Sequence, residues 1–383
     1  MPSKLTLGYF KSNRDIERRI LWVLRSGRLS YGPMSVQMEK LVSSIIGVEH
    51  TVLCNSGTSA LVVAIQALKE LRGWKDGDEI ICPALTFVAT VNAILHCNLT
   101  PVLVDVDPFT YVMRPEDIEE AITERTRGVL PVHLFGYPCD MPGMVRLADF
   151  YSLVIIEDCC EAFGAESRGQ QVGSIGHIGC FSTYVGHHIV TGVGGFCTTG
   201  DEEIALKIRS LVNHGIDIDQ LPAGEVYEPS QLGRVFRFSD IGHSFRITEL
   251  EAALGIEALE HWEKNRNARR ENVDLYNLKL SPLGILQLPR RGVDDDIDNY
   301  MVLPLVCTRM GSGDVIAALN NHNIEARMMM PLTNQPCYEY DENDFPNAKH
   351  VNHHGFYIGC HEGLSVEDIL NAVGVLENIL IEI

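Results

Sequence analysis

Positive charge is scarce in this chain. Its 383 residues carry 31 Lys and Arg against 51 Asp and Glu, a formal net charge of -20. No basic stripe is present to neutralise a row of phosphates, which excludes nucleic acid and anionic membrane surfaces as partners. Any phosphate in a ligand must therefore be met by local donors. Long apolar runs are missing as well. The run "ILWVL" near the N-terminus is short and closely flanked by basic residues, unfit for a secretory signal or a spanning helix, so a cytoplasmic protein is expected. The 11 Cys are an odd number without zinc or disulfide spacing, and most sit in apolar stretches where a reduced thiol packs as a small hydrophobe. No metal site is expected. Pro and Gly are scattered, and neither a repeat nor a low-complexity tract occurs. The acidic cluster "DDDID", Asp294 to Asp298, reads as a solvated loop.

What is present is material for a large core: 45% hydrophobic residues and a mean hydropathy of +0.03. Between residues 50 and 200 short apolar strands alternate with amphipathic helices, the pattern of a parallel sheet covered on both faces. Strand candidates are "HTVLC", "EIICP", "TPVLVDV", "GVLPVHL", "SLVIIED" and "IGCFSTY". From Glu249 one long helix, "ELEAALGIEALEHWEKNRNARRENVDLYNLKL", leads into a mixed segment and a last amphipathic helix. The expected fold class is α/β. A large domain over 1–250 holds a mostly parallel central sheet, and a smaller C-terminal α/β domain covers 251–383. Ligands of such sheets bind beyond the carboxyl ends of the strands, so the residues after each strand matter most.

After "HTVLC" comes "NSGTSAL", where Gly57 opens a helix. Backbone N–H groups there, with the hydroxyls of Thr58 and Ser59, make a phosphate cup; ordinary N-capping is the competing reading. After "EIICP", Phe87 can lie against a planar ring or serve as a core aromatic. Asp158 ends "LVIIED" with no cation nearby in sequence. A carboxylate so placed can keep a pyridine-type nitrogen protonated, or can cap a turn. Glu161 can reach a ring hydroxyl or lie exposed on a first helical turn. In "GCFSTYVGHHIVTGVGG", Ser182 is a second phosphate ligand, while Gly192, Gly194 and Gly195 permit a tight turn. His187 and His188 point to opposite faces of an extended chain, so they make a poor metal pair and only one faces a ligand.

The order and strand-end placement of these signals resemble the sugar-nucleotide aminotransferase family of fold type I pyridoxal-phosphate enzymes over nearly the whole chain. Among the family-like segments are "SGRLSYGPMSVQMEKLVSSIIGVEHTVLCNSGTSAL", "IIEDCCEAFGA", "FSTYVGHHIVTGVGG" and "FRFSDIGHSFRITELEAALGIEAL". The resemblance implies that Asp158 partners the pyridine nitrogen, that Phe87 stacks on the ring, and that Gly57, Thr58, Ser59 and Ser182 meet the phosphate, with Glu161 at the ring hydroxyl. His187 stands where the family's lysine binds the cofactor covalently. A histidine cannot form that bond.

Family members with His at this position resemble 3-dehydratases of 4-keto-6-deoxy sugar nucleotides. The resemblance then implies pyridoxal 5'-phosphate and pyridoxamine 5'-phosphate held non-covalently, L-glutamate as amino donor and a nucleotide-diphosphate sugar as substrate. His187 moves protons, and ammonia is released. One subtype carries an iron-sulfur cluster whose first cysteine matches Cys160. No Cys occurs between Cys197 and Cys307, so no cluster is expected, and the nearer match is to the GDP-4-keto-6-deoxymannose 3-dehydratases of the colitose pathway. Ser244 in "GHSFR" replaces an Asn that in relatives reaches the neighbouring subunit's cofactor phosphate. Arg327 in "IEARMMMPL" matches an arginine near the glutamate carboxylate or the sugar nucleotide, with a surface salt bridge as the alternative. His214 in "NHG" also reaches the site. A homodimer with shared sites follows by the same resemblance. The competing functions are an aminotransferase with a non-covalent cofactor and a cofactor-binding pseudoenzyme.

Overall fold

The computed structural model describes residues 5–217, 237–292 and 296–382. Nine strands precede the C-terminal part: β1 (His50–Cys54), β2 (Glu79–Pro83), β3 (Thr100–Val104), β4 (Thr126–Val129), β5 (Val154–Asp158), the short β6 (Glu166–Ser167) and β7 (Gln170–Gln171), then β8 (Ile178–Ser182) and β9 (Gly195–Thr199). Seven of them form one sheet in the order β1-β9-β8-β5-β4-β2-β3. Six of the seven run the same way; β9 alone is reversed, antiparallel to both β1 and β8. Strands β2 and β5 are buried along their whole length, as their unbroken apolar runs require.

Helices cover both faces: α1 (Arg14–Ser26), α2 (Pro33–Ile46), α3 (Gly57–Arg72), α4 (Val88–His96), α5 (Pro115–Ala121), α6 (Met141–Tyr151) and α7 (Glu202–Leu211). The expected long helix from Glu249 is two helices, α8 (Glu249–Glu260) and α9 (Trp262–Leu280). They break at His261, whose φ of -118° and ψ of 10° are not helical. No Gly or Pro marks that break in the sequence. A second, antiparallel sheet follows in the order β10-β11-β13-β12. It comprises β10 (Leu286–Gln287), β11 (Val302–Cys307), β12 (Ala326–Met328) and β13 (Gly355–Gly359), with α10 (Ser312–Asn321), α11 (Pro346–His354) and α12 (Val366–Glu382) around it. The division into 1–250 and 251–383 is kept as a proposal. Phe135 ties the two parts together, its ring 6.3 Å from Tyr111 and 5.8 Å from Tyr357.

Two long-range ties organise the region around β8 and β9. Glu249, buried at the start of α8, caps α2 from outside: it accepts N–H bonds from Gly32, Met34 and Ser35 at 2.8–2.9 Å and the Ser35 hydroxyl at 2.5 Å. The N-terminal residues form a strap. Leu5 pairs with the β12 side of the second sheet through Asn323 O and the Glu325 N–H, at 2.9 and 2.8 Å. Gly8 then crosses the loop before His187 so closely that a Cβ there would stand 2.4 Å from Val185 O.

The acidic cluster departs from expectation. Asp294 and Asp295 lie outside the described residues, but Asp298 is buried and ion-paired with Arg291, because the chain turns inward there to deliver Asn299 to the core. Among the described residues, no helix is long and apolar enough to cross a membrane.

Candidate active site

Three strand ends converge. Asp158 closes β5, and its own N–H donates to Pro131 O at 2.8 Å. One carboxylate oxygen accepts the Thr90 hydroxyl at 2.9 Å and the other accepts the Cys160 N–H at 3.2 Å, so the turn-capping reading holds for that second oxygen. The group is buried, and burial raises its pKa against the pull of these donors. Among the described residues no Lys or Arg pairs with it. A buried carboxylate without a cation is suited to hold a protonated ring nitrogen.

Glu161 is not on an exposed helical turn. It lies in a non-helical turn, buried, and one oxygen accepts the Phe135 N–H at 2.8 Å. Phe135 takes a left-handed φ of 56° as it makes this bond. Burial, with Asp158 adding repulsion, pushes Glu161 up to about 7. Near neutral pH it can therefore hold a proton and donate to a ring oxygen.

At the turn after β1 the helix cap is Ser56, which neither reading of the sequence singled out. Its hydroxyl accepts the Ser59 N–H at 3.0 Å. Ser59 is committed inward, donating to Asn55 Oδ1 at 2.7 Å, whereas Thr58 is exposed. Gly57 is required by packing: a Cβ would meet Cys160 Sγ and Ser182 Cβ, both at 2.8 Å. That contact puts the β1 turn, the end of β8 and the residue after β5 against one another. Cys160 packs there, its thiol directed at Cys180 O at 3.8 Å. Phe87, at the N-cap of α4, is 58% exposed and leaves a ring face open beside this group rather than serving the core.

The β8–β9 hairpin carries the histidines. Its stem is closed by Thr183 N–H to Gly194 O at 2.9 Å, by Thr191 N–H to Thr183 O at 2.9 Å and by the two threonine hydroxyls at 2.6 Å. Phe181 and Phe196, register partners, stack at 4.7 Å beneath it. The two histidines lie in a bend, not the extended chain expected, with the His187 N–H donating to Tyr184 O at 2.9 Å, and they have different surroundings. His188 is buried and donates from Nε2 to Asn299 O at 2.8 Å. His187 is half-buried beside the Tyr184 ring, edge to face at 6.1 Å, with Nδ1 buried and unpartnered. Burial pushes its imidazole down to about 4. It is neutral at pH 7, the form a base must have, and burial makes it a weaker base than a free imidazole.

Arg327 is exposed on β12 and pairs with Glu325 at 2.8 Å, so the salt-bridge alternative is present. It also stands opposite Tyr357 of β13, whose hydroxyl burial raises to about 12, the Glu161 charge adding to the effect and Arg327 opposing it. Tyr357, missed in the sequence, thus brings Arg327 to the group. Ser244 and His214 share one partner instead, the Arg246 guanidinium, at 2.9 and 3.1 Å. Their segment runs beside the β1 turn, where Asn55 N–H donates to Phe245 O at 2.7 Å.

A buried trio, His133, Glu157 and Cys159, has metal-like spacing. Its lone pairs are already spent. Glu157 accepts N–H bonds from Gly173, Ile175 and Gly176 at 2.6–2.9 Å and one from His133 Nε2 at 3.2 Å, while His133 Nδ1 accepts the Cys139 N–H at 3.0 Å.

Residues 11–377 match the DegT/DnrJ/EryC1/StrS aminotransferase family. The chain is 34% identical over 360 residues to a GDP-perosamine synthase of Caulobacter vibrioides, spanning 92% of this chain and 91% of that one. Its fold matches an aminotransferase of Psychrobacter cryohalolentis with a TM-score of 0.87 at 28% identity, over 97% of this chain and 98% of the other. It matches an E. coli GDP-4-keto-6-deoxy-D-mannose-3-dehydratase with bound hydrated PLP at a TM-score of 0.88 and 26% identity, over 97% and 99%. With that agreement along its whole length, the chain belongs to the DegT/DnrJ/EryC1/StrS sugar-nucleotide aminotransferase family, fold type I enzymes that depend on pyridoxal 5'-phosphate.

Proposed function

We propose that this protein is a 3-dehydratase that removes the C3 hydroxyl of a nucleotide-linked 4-keto-6-deoxy hexose, using non-covalent pyridoxal 5'-phosphate and L-glutamate. The observation that carries the reading is His187 at the tip of the β8–β9 hairpin, where a lysine would bind the cofactor covalently. Pyridoxal 5'-phosphate supplies, when bound, a ring that accepts electrons from a carbanion. The side chains fit it. Asp158 holds the ring nitrogen protonated, Phe87 packs on a ring face, and Glu161 donates to the ring hydroxyl. Ser182, Thr58 and the N–H groups opening α3 meet the phosphate, compensating for the lack of a basic stripe.

His187, neutral at pH 7, would be the group that takes up a proton beside the bound cofactor and returns it to the C3 oxygen of the sugar as that hydroxyl leaves. A lysine would hold the cofactor and favour delivery of the amine to the sugar; the imidazole does neither, so ammonia is released. The exposed guanidinium of Arg327 forks onto the glutamate carboxylate or the sugar nucleotide. Ser244 reaches the cofactor phosphate of the neighbouring subunit in a homodimer, His214 meets the substrate, and the half-exposed Leu21, Trp22 and Leu24 of α1 give a second copy an apolar face to cover. The reading places the enzyme in the cytoplasm and without an iron-sulfur cluster.

The names of the relatives favour a second reading, transfer of the amine to the sugar. Product mass separates the two. Incubation with glutamate and GDP-, CDP- or dTDP-4-keto-6-deoxy sugars should give a keto sugar one oxygen lighter than the substrate. An amino sugar instead would overturn the dehydratase reading. Borohydride should leave no reduced cofactor-lysine adduct on the protein.

A further inference from the structure

We propose that the last turn of α11 carries a site for a divalent transition-metal ion, with the imidazoles of His350 and His354 as its two protein ligands. The pair lies four residues apart on one helix face, the spacing at which side chains stand one above the other. Their rings are 4.4 Å apart and 24° from parallel. His354 Nδ1 lies 3.0 Å from the carbonyl oxygen of His350. A carbonyl only accepts, so that nitrogen carries the hydrogen and Nε2 keeps its lone pair. Metal-binding histidines are commonly fixed in this way, one nitrogen donating to a backbone oxygen while the other faces the ion. The His350 ring makes no hydrogen bond among the described residues and is exposed, which leaves it free to turn about χ2 and gives an aqueous ion direct access.

Charged neighbours are otherwise engaged. Lys349 pairs with Glu342 at 3.3 Å and donates to Asn343 at 2.7 Å, and His353 pairs with Glu342 at 3.0 Å. Two nitrogen donors without a thiolate or a free carboxylate select copper, nickel and zinc over magnesium and calcium, with water completing the shell. The first turn of α11 is already anchored, the Asn347 and Ala348 N–H groups both donating to Asp105 at 2.9 Å. An ion across His350 and His354 would fix the other end.

Titration of the full-length, cofactor-loaded protein with CuCl2, NiCl2, ZnCl2 and MgCl2 at pH 7.5 tests this. One saturable site for copper and nickel is expected, none for magnesium, with His350→Gln and His354→Gln each weakening it about tenfold or more and exposed His261→Gln leaving it unchanged. Binding should fall at pH 5.5 as protons compete. Saturable binding that survives both substitutions, or none in the wild-type protein, would overturn the proposal. Should His354→Gln fail to fold, His350→Gln, at a side chain with no hydrogen bond to lose, still decides.

Discussion

Replacing Glu157 by Gln changes no heavy-atom shape, yet the arrangement around it makes the change costly. Every group facing the carboxylate is a donor: Ile175 and Gly176 on one oxygen at 2.9 and 2.6 Å, Gly173 and His133 Nε2 on the other at 2.8 and 3.2 Å. The imidazole cannot offer a lone pair instead without releasing Cys139 N–H from Nδ1. Whichever way the amide is turned, its NH2 confronts two donors. Two hydrogen bonds to a charged group are lost, at about 1.5–3 kcal/mol each, or about 3–6 kcal/mol together. That is a large share of the roughly 5–15 kcal/mol that holds a folded protein. The assay is hydrogen exchange by mass spectrometry over residues 172–178, alongside the thermal midpoint. Depending on which way the amide turns, either the Ile175 and Gly176 amides or the Gly173 amide should lose about a hundredfold protection or more, since about 1.4 kcal/mol corresponds to a factor of ten. Cofactor retention should weaken too, because Glu157 fixes the strand end that presents Asp158. Wild-type exchange in that segment with an unchanged midpoint would refute the argument.

His187→Asn should abolish formation of pyridoxamine phosphate from glutamate while the bound cofactor keeps its absorbance; a variant that still converts it would remove His187 as the base. Half-buried His187 and buried His361 both lie near 4 when folded, below the unfolded value of about 6.5. The unfolded chain therefore binds protons first, and stability should be full above about pH 6.5 and decline towards pH 4. A thermal midpoint that rises on acidification would contradict this. Glu161 has the opposite sign: held near 7, above its unfolded value, it favours folding below about pH 4.5 and loses that contribution as pH passes 7. Glu161→Gln should therefore gain midpoint relative to wild type between pH 5 and 8; a constant difference would count against it. Gly8→Ala places a Cβ 2.4 Å from Val185 O, so the loop ending at His187 must move and turnover should fall about tenfold or more. Unaltered kcat would show that the strap does not set the loop.

The strands were legible because short apolar runs buried on two faces have few other homes. The boundary error at β4 is instructive: the run "GVLPVHL" continues through Pro131, which has no N–H for the ladder, and the strand is Thr126–Val129. Asp158 could be read from the rule that ligands gather beyond strand ends, and His187 from the resemblance that sets it at the family's lysine position. Thr90, Phe135 and Tyr357 could not, because each reaches the site from an element distant in sequence. The break at His261 and the burial of Glu161 and Asp298 were equally hidden: tertiary packing set them against a local pattern that suggested continuous helix, exposed turn and solvated loop.

The reversal of β9 has a consequence for how this family diversifies. A parallel strand would have to leave the sheet through a crossover, and a residue after β8 would then sit in a connection whose course depends on its own side chains. Because the chain doubles straight back, threonine hydroxyls and stacked phenylalanines fasten both ends of the loop before its tip is reached. Residue 187 bears none of that fastening through its side chain. On the proposed function, exchanging amine for imidazole there would redirect the reaction while leaving the sheet indifferent, so one position would carry the choice between donating nitrogen and removing oxygen.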